Sequence, residues 1–100
     1  MPNPNYNAGR RLEYKVKKQW EKDGFTVFRT AGSHGSVDLI AVQPNDISFI
    51  QCKRCQTMAQ ANKLERQLKS KLPLPSSDWY TQYLEVYVAE RRSQYKYILD

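Results

Sequence analysis

The fold is decided by the stretch from Val37 to Lys53, which reads VDLIAVQPNDISFIQCK. Two runs in it, Val37 to Gln43 and Ile47 to Lys53, are rich in β-branched and aromatic residues, and each is typical of a strand. The three residues between the runs, PND, are common turn formers. The stretch therefore predicts a β-hairpin.

The register of this hairpin decides which polar side chains meet. If Asn45 and Asp46 are the two central residues of the turn, Asp38 pairs directly with Lys53, and Gln51 lies diagonal to Asp38. Side chains alternate along a strand, so the three polar side chains share one face. A loop with an odd number of residues and no bulge would separate Asp38 from Lys53.

A carboxylate, an amide oxygen and an ammonium gathered within about 5 to 8 Å suit a hard divalent cation and a phosphate group. The simpler alternative is a cross-strand ion pair between Asp38 and Lys53, worth about 0.2 to 1 kcal/mol. The flanking residues are mostly apolar, and polar groups among buried neighbours need a reason. This context favours a functional site.

The first helix is indicated by Leu12, Val16 and Trp20, which repeat at helical spacing and predict a helix over residues 7–22. The preceding residues 1–6 are turn-like and are expected to be flexible. The helix precedes a predicted strand.

The remaining pattern predicts a strand from Phe25 to Arg29, a second helix from Thr57 to Leu72, and a second hairpin made of Tyr83 to Ala89 and Tyr95 to Leu99. The element order is αβββαββ. The expected class is α/β, with a central mixed five-stranded sheet flanked by helices, in one domain over residues 1–100.

The chain is basic, with 16 Lys and Arg against 10 Asp and Glu and a formal net charge of +6. This balance favours a polyanionic partner such as nucleic acid, although a solvated basic surface is the plain alternative. No run approaches the roughly 18 apolar residues of a membrane span, and the N-terminus lacks the apolar core of a signal peptide. A cytoplasmic protein without a membrane partner is expected.

Cys52 and Cys55 form a lone CxxC pair, and His34 is the only histidine of the sequence. A zinc site needs more ligands than this, so free thiols are expected. A redox protein is the alternative interpretation, and it predicts a helix that starts next to Cys52 and no dependence on a metal.

Three segments together resemble a known family: GRRLE over residues 9–13, GFTVFRTAGSHGSVDLIA over residues 24–41, and FIQCK over residues 49–53. They resemble the archaeal-type Holliday junction resolvases, a branch of the PD-(D/E)xK nuclease superfamily, over about half of the chain. A viral or phage member, acting in the host cytoplasm, is left open. The resemblance implies a restriction-endonuclease-like fold and Mg²⁺-dependent resolution of four-way DNA junctions by a homodimer.

The resemblance also implies the members of a metal site. Mg²⁺, or Mn²⁺ in its place, would be held by the side chains of Glu13, Asp38 and Gln51, with the backbone carbonyl of Cys52 as a further oxygen ligand. The implied catalytic residues are Glu13, Asp38, Gln51, Lys53 and Ser33. Lys53 would orient the attacking water or neutralise developing charge.

A second set of residues would contact DNA. By resemblance, Arg29 would grip a phosphate, Ser33 would help to place the junction strand, and Arg10 would lie beside the DNA backbone. The implied DNA-binding residues are Arg10, Arg11, Arg29, Ser33, His34 and Arg54.

The departure from the family pattern is Gln51, which stands where the pattern has Glu or Asp, so one negative charge is missing. An amide oxygen is still an acceptable hard ligand. Two alternatives stay open: another PD-(D/E)xK nuclease with a repair or restriction-like role, and a non-catalytic DNA-binding module weakened by Gln51.

Overall fold

The computed structural model describes residues 4–30 and 37–100, with side chains from Gly9 onward. In these ranges the elements follow the predicted order αβββαββ. The helices are α1 (Pro4–Lys22) and α2 (Met58–Ser70), and the strands are β1 (Thr26–Arg29), β2 (Leu39–Gln43), β3 (Asp46–Cys55), β4 (Thr81–Val88) and β5 (Ser93–Ile98). A short 3-10 helix, Ala89–Arg91, joins β4 to β5.

The strands form one sheet in the order β1-β2-β3-β4-β5. Neighbouring strands are antiparallel except β3 and β4, which run parallel. Parallel neighbours need a crossover connection, and α2 lies within that connection. The predicted α/β class with a mixed five-stranded sheet is confirmed.

A helix covers each face of the sheet. Leu12, Val16 and Trp20 of α1 are buried in one cluster with residues of the first three strands, namely Val27, Leu39, Ala41 and Ile50. Ala61 of α2 is buried in a second cluster, with Leu84, Val86, Val88 and Leu99. Tyr83 and Tyr87 pack against the first cluster, so alternating residues of β4 face opposite helices.

The helix α1 begins three residues earlier than predicted, at Pro4. Proline is favourable in the first helical turn, because its missing N–H has no partner there and its φ suits the helix. Residues 4–6, which were expected to be turn-like, form the first turn of this helix, and residues 1–3 lie outside the described part. Among the helices described, none is long and apolar enough to span a bilayer.

The hairpin turn lies one residue earlier than predicted. Gln43 pairs with Asp46, so Pro44 and Asn45 are the two loop residues, and Asn45 has a φ of 62°. Proline fixes φ near the value that the first turn position needs, and asparagine tolerates the left-handed second position. These two preferences together place the turn.

This turn shifts the pairing of β2 with β3 by two residues. Leu39 pairs with Ile50, so continuation of the ladder sets Asp38 opposite Gln51 and makes Lys53 the diagonal neighbour. The predicted direct pairing of Asp38 with Lys53 is therefore wrong. Both registers have a two-residue loop, so the shared face is unchanged.

The start of α2 offers a direct test of the local structure. The Thr57 side chain accepts a hydrogen bond from the Gln60 N–H at 3.2 Å, and the Gln60 side chain accepts one from the Thr57 N–H at 3.2 Å. We expect Thr57→Ala to lower the free energy of unfolding by about 1 kcal/mol. Urea denaturation measures this, and Thr57→Ser is the control; equal losses in both variants would contradict the capping role.

Candidate active site

Asp38 lies directly before β2, and the backbone on both sides fixes it. Its N–H donates to the Ile50 carbonyl at 2.9 Å, and its carbonyl accepts from the Thr30 N–H at 3.0 Å. The carboxylate Oδ2 accepts a hydrogen bond from the Cys52 N–H at 2.7 Å. The side chain is therefore held against the backbone of β3.

The pKa of Asp38 is raised above its ordinary value, and burial of the carboxyl is the largest cause. The Cys52 hydrogen bond lowers this pKa, whereas the negative charge of Glu13 raises it. The positive charges of Lys53 and Arg29 lower it by smaller amounts. The two carboxylates thus repel each other, and a cation between them would relieve that repulsion.

Glu13 is carried by α1, next to the buried Leu12. Its Oε1 accepts a hydrogen bond from Arg29 Nε at 2.7 Å, and both side chains are mostly buried, with 21% and 17% of their surface exposed. The Arg29 guanidinium also lies 5.2 Å from the centre of the Tyr14 ring. Glu13 is therefore oriented by a charge partner at the end of β1.

Gln51 is the least satisfied polar residue of the site. It is only 6% exposed, and its Oε1 finds no hydrogen-bond partner among the described residues. A buried acceptor of this kind costs free energy and calls for an explanation. A metal ion is one group that would satisfy it, because amide oxygens are ligands of hard cations.

Lys53 is exposed on β3, two residues beyond Gln51, and its charge acts on Asp38. It lines a cavity of about 360 Å³ that also reaches Gly9 at the start of α1. The cavity gives a polyanion access to Lys53.

The oxygen donors fit a hard divalent cation. Two carboxylates interact electrostatically, one buried amide oxygen is unsatisfied, and the Cys52 backbone follows directly. Within the described ranges no three His, Cys, Asp or Glu side chains form a metal-binding group. The site has only two carboxylates, Glu13 and Asp38, because the third position is occupied by the amide of Gln51.

The predicted DNA-binding residues are only partly brought together. Arg10 and Arg11 are exposed on α1, and Arg10 Nη2 donates to the Tyr14 hydroxyl at 3.4 Å. Arg54 is exposed on β3, with its guanidinium 4.6 Å from the Tyr87 ring centre. The predictions for Ser33 and His34 fall outside the described residues.

The sequence reasoning missed two residues of this region. Tyr14 lies between Arg10 and Arg29, with both guanidinium groups within 5.6 Å of its ring centre. The four-residue spacing from Arg10 to Tyr14 is the signal that would have found it. Thr30 is the second, because its hydroxyl donates to the backbone carbonyls of Val37 and Asp38.

The two cysteines are free, as predicted, and they lie on opposite faces of the sheet. Cys52 packs against the α1 cluster and Cys55 against the α2 cluster. Burial raises the pKa of the Cys52 thiol strongly, and the charge of Asp38 raises it further. A redox CxxC site needs adjacent, reactive thiols, so this alternative is wrong.

Comparison with known proteins places these observations in a family. A relative from Methanocaldococcus jannaschii, named crossover junction endodeoxyribonuclease Hjc, is 44% identical over 48 residues, which are 48% of this chain and 35% of the relative. The chain therefore spans about a third of the length of this curated relative. The fold is similar to that of Hjc from Archaeoglobus fulgidus, a Holliday junction resolvase from a hyperthermophile.

That structural similarity has a TM-score of 0.59 at 16% identity and covers 92% of this chain and 73% of the other. It shows the same fold. Residues 4–72 match the sequence pattern of the archaeal Holliday junction resolvase (Hjc) family, which includes α1, the hairpin and α2. This match covers more than half of the chain, and the chain belongs to the archaeal Holliday junction resolvase family.

Proposed function

We propose that this chain is a metal-dependent endonuclease that resolves four-way DNA junctions. The observation that carries the proposal is the Asp38 carboxylate, held by the Cys52 N–H at 2.7 Å and coupled electrostatically to Glu13 and Lys53. Membership of the resolvase family supports the same activity. The basic net charge of +6 agrees with a DNA substrate.

Glu13, Asp38 and Gln51 would hold Mg²⁺, or Mn²⁺ in its place, and the backbone carbonyl of Cys52 would add a ligand. When bound, the metal supplies Lewis acidity toward a phosphodiester oxygen and toward water. Lys53 neutralises the charge that develops on the phosphate during hydrolysis. The Arg29 guanidinium fixes Glu13, and its positive charge beside the site favours a phosphate.

We also infer that residues 1–100 act as one nuclease domain and that two copies form a homodimer. Resolution of a junction needs two matched cuts, and a two-fold dimer places one site on each side of a nearly symmetric substrate. Ser33 and His34, together with Arg10, Arg11 and Arg54, complete the proposed DNA-contacting set. The cytoplasm is the location that we propose for this activity.

The native chain incubated with an end-labelled four-way junction and with a matched linear duplex tests this proposal. We expect paired, symmetric nicks in the junction in Mg²⁺ or Mn²⁺, an intact duplex, and no product in EDTA. Equal cutting of the duplex would instead support another nuclease of the superfamily. Tight junction binding without cleavage in either metal would support a non-catalytic module.

A further inference from the structure

A groove leads away from the proposed active site. The cavity that contains Lys53 shares three lining residues, Arg54, Cys55 and Gln56, with a second cavity of about 460 Å³. The second cavity extends along α2 past Lys63 and Gln67. The two cavities are therefore neighbours at the end of β3, and we call the surface that they line together the groove.

The charges that line this groove have one sign. Lys53, Arg54 and Lys63 are all exposed and basic, and no Asp or Glu is among the described residues that line the groove. The nearby Glu90 has its carboxylate engaged by the Met58 N–H at 2.7 Å. A groove lined by three basic side chains favours a polyanion.

The neutral lining residues add hydrogen-bond donors. Gln56, Gln60 and Gln67 are exposed in the groove. The Gln60 Oε1 accepts from the backbone N–H groups of Gln56 and Thr57 at 2.8 and 3.2 Å, which leaves its Nε2 group as a donor. Amide and basic side chains are among the groups that proteins use to bind DNA phosphates.

The two lysines of α2, Lys63 and Lys69, differ in whether they form an ion pair. Lys69 lines neither cavity and is paired with Glu65 at 3.1 Å. Lys63 makes no ion pair within the part of the chain that the structure describes. The compensated lysine lies outside the groove, and the uncompensated one lies inside it.

We propose that this groove binds the phosphate backbone of one DNA arm beyond the cut, with Lys63 as its charged contact on α2. This inference rests on the proposed function, and it adds a second DNA contact outside the metal site. From Gln60 to Gln67 the helix rises about 10 Å, which matches about three phosphates of one strand. The arm would thus be held along α2 while the scissile phosphate lies near Lys53.

The test measures junction affinity in EDTA, so that cleavage plays no part. Lys63→Ala should weaken binding about five- to tenfold at 0.1 M salt and reduce the slope of log K against log salt by about 0.9. Lys69→Ala is the matched control and should leave both quantities unchanged. Junctions that each carry one neutral methylphosphonate linkage then locate the contact. Neutralising the phosphate that Lys63 contacts should weaken junction binding by the native chain but should not weaken binding by Lys63→Ala any further.

The outcomes separate this inference from the proposed function. If the native chain cuts the junction but Lys63→Ala and Lys69→Ala bind alike, the groove proposal fails and the nuclease stands. If Lys63→Ala alone loses affinity while the native chain cuts nothing in any divalent metal, the groove proposal stands and the nuclease fails. If the native chain does not bind the junction at all, both are overturned.

Discussion

Asp38→Asn is expected to lower the rate of junction cleavage by about 10³-fold or more. Asp38 is a proposed metal ligand, and loss of its charge would remove several kcal/mol of metal-dependent transition-state stabilisation. The amide can still accept the Cys52 N–H, so the backbone around the site should keep its geometry. Single-turnover cleavage in saturating Mg²⁺ measures the loss, and junction affinity in EDTA should be unchanged.

The same substitution should stabilise the folded chain at neutral pH. Burial raises the pKa of Asp38, so the folded state holds this proton more tightly than the unfolded state does. The stability contributed by the protonated carboxyl is complete below the unfolded pKa and is lost as the pH rises through the folded pKa. The stability advantage of Asp38→Asn should therefore grow from acidic to neutral pH.

Urea denaturation across that pH range measures this advantage. If Asp38→Asn cuts the junction at the native rate, the proposal that Asp38 holds the metal is wrong. A variant that loses activity and also loses stability at every pH would show a structural role instead. Loss of activity together with a gain of stability is the pattern of a residue kept for function.

The second substitution with a large expected effect is Gln51→Glu, which should destabilise the metal-free chain and stabilise the chain in Mg²⁺. In the metal-free chain a buried carboxylate replaces a buried amide, so the free energy of unfolding should fall by about 1 to 3 kcal/mol. In the proposed metal site the added charge would face Mg²⁺ and attract it by several kcal/mol. We expect Mg²⁺ affinity to rise about tenfold or more, because the attraction exceeds the cost of burial.

Thermal unfolding with and without Mg²⁺ measures this reversal, since a ligand at about 100 times its Kd adds about 2.7 kcal/mol to the stability. Gln82→Glu is the matched control: Gln82 is 2% exposed, and both polar atoms of its amide are bonded to the Leu74 backbone. Gln82→Glu should lower the free energy of unfolding, and Mg²⁺ should not restore the lost stability. Equal behaviour of the two variants would place Gln51 outside the metal site.

The sequence predicted the order of elements because each is marked by a local signal. The apolar spacing of Leu12, Val16 and Trp20 predicted the buried face of α1. Thr57 marked the start of α2, and alternating residues marked the two strands of each hairpin. Turn placement failed by one residue because the sequence offered three turn formers in a row, and only the joint preference of Pro44 and Asn45 selects between them.

The candidate site was visible in the sequence as residue types but not as interactions. Spacing along one hairpin placed Asp38, Gln51 and Lys53 together, whereas Glu13 entered through the family resemblance. The pairing of Glu13 with Arg29 joins α1 to β1 through tertiary packing, which no local pattern encodes. The unsatisfied Oε1 of Gln51 likewise depends on what surrounds it in three dimensions.

Thr30 joins the two ends of the connection between β1 and β2. Its N–H and hydroxyl tie the residue that precedes the 31–36 segment to Asp38 and Val37, which follow it. The entropy of closing a loop grows slowly with length, by about 0.6 kcal/mol for each doubling. A change of length between these two anchors would therefore cost little free energy, while the hydrogen bonds of Thr30 keep Asp38 in position.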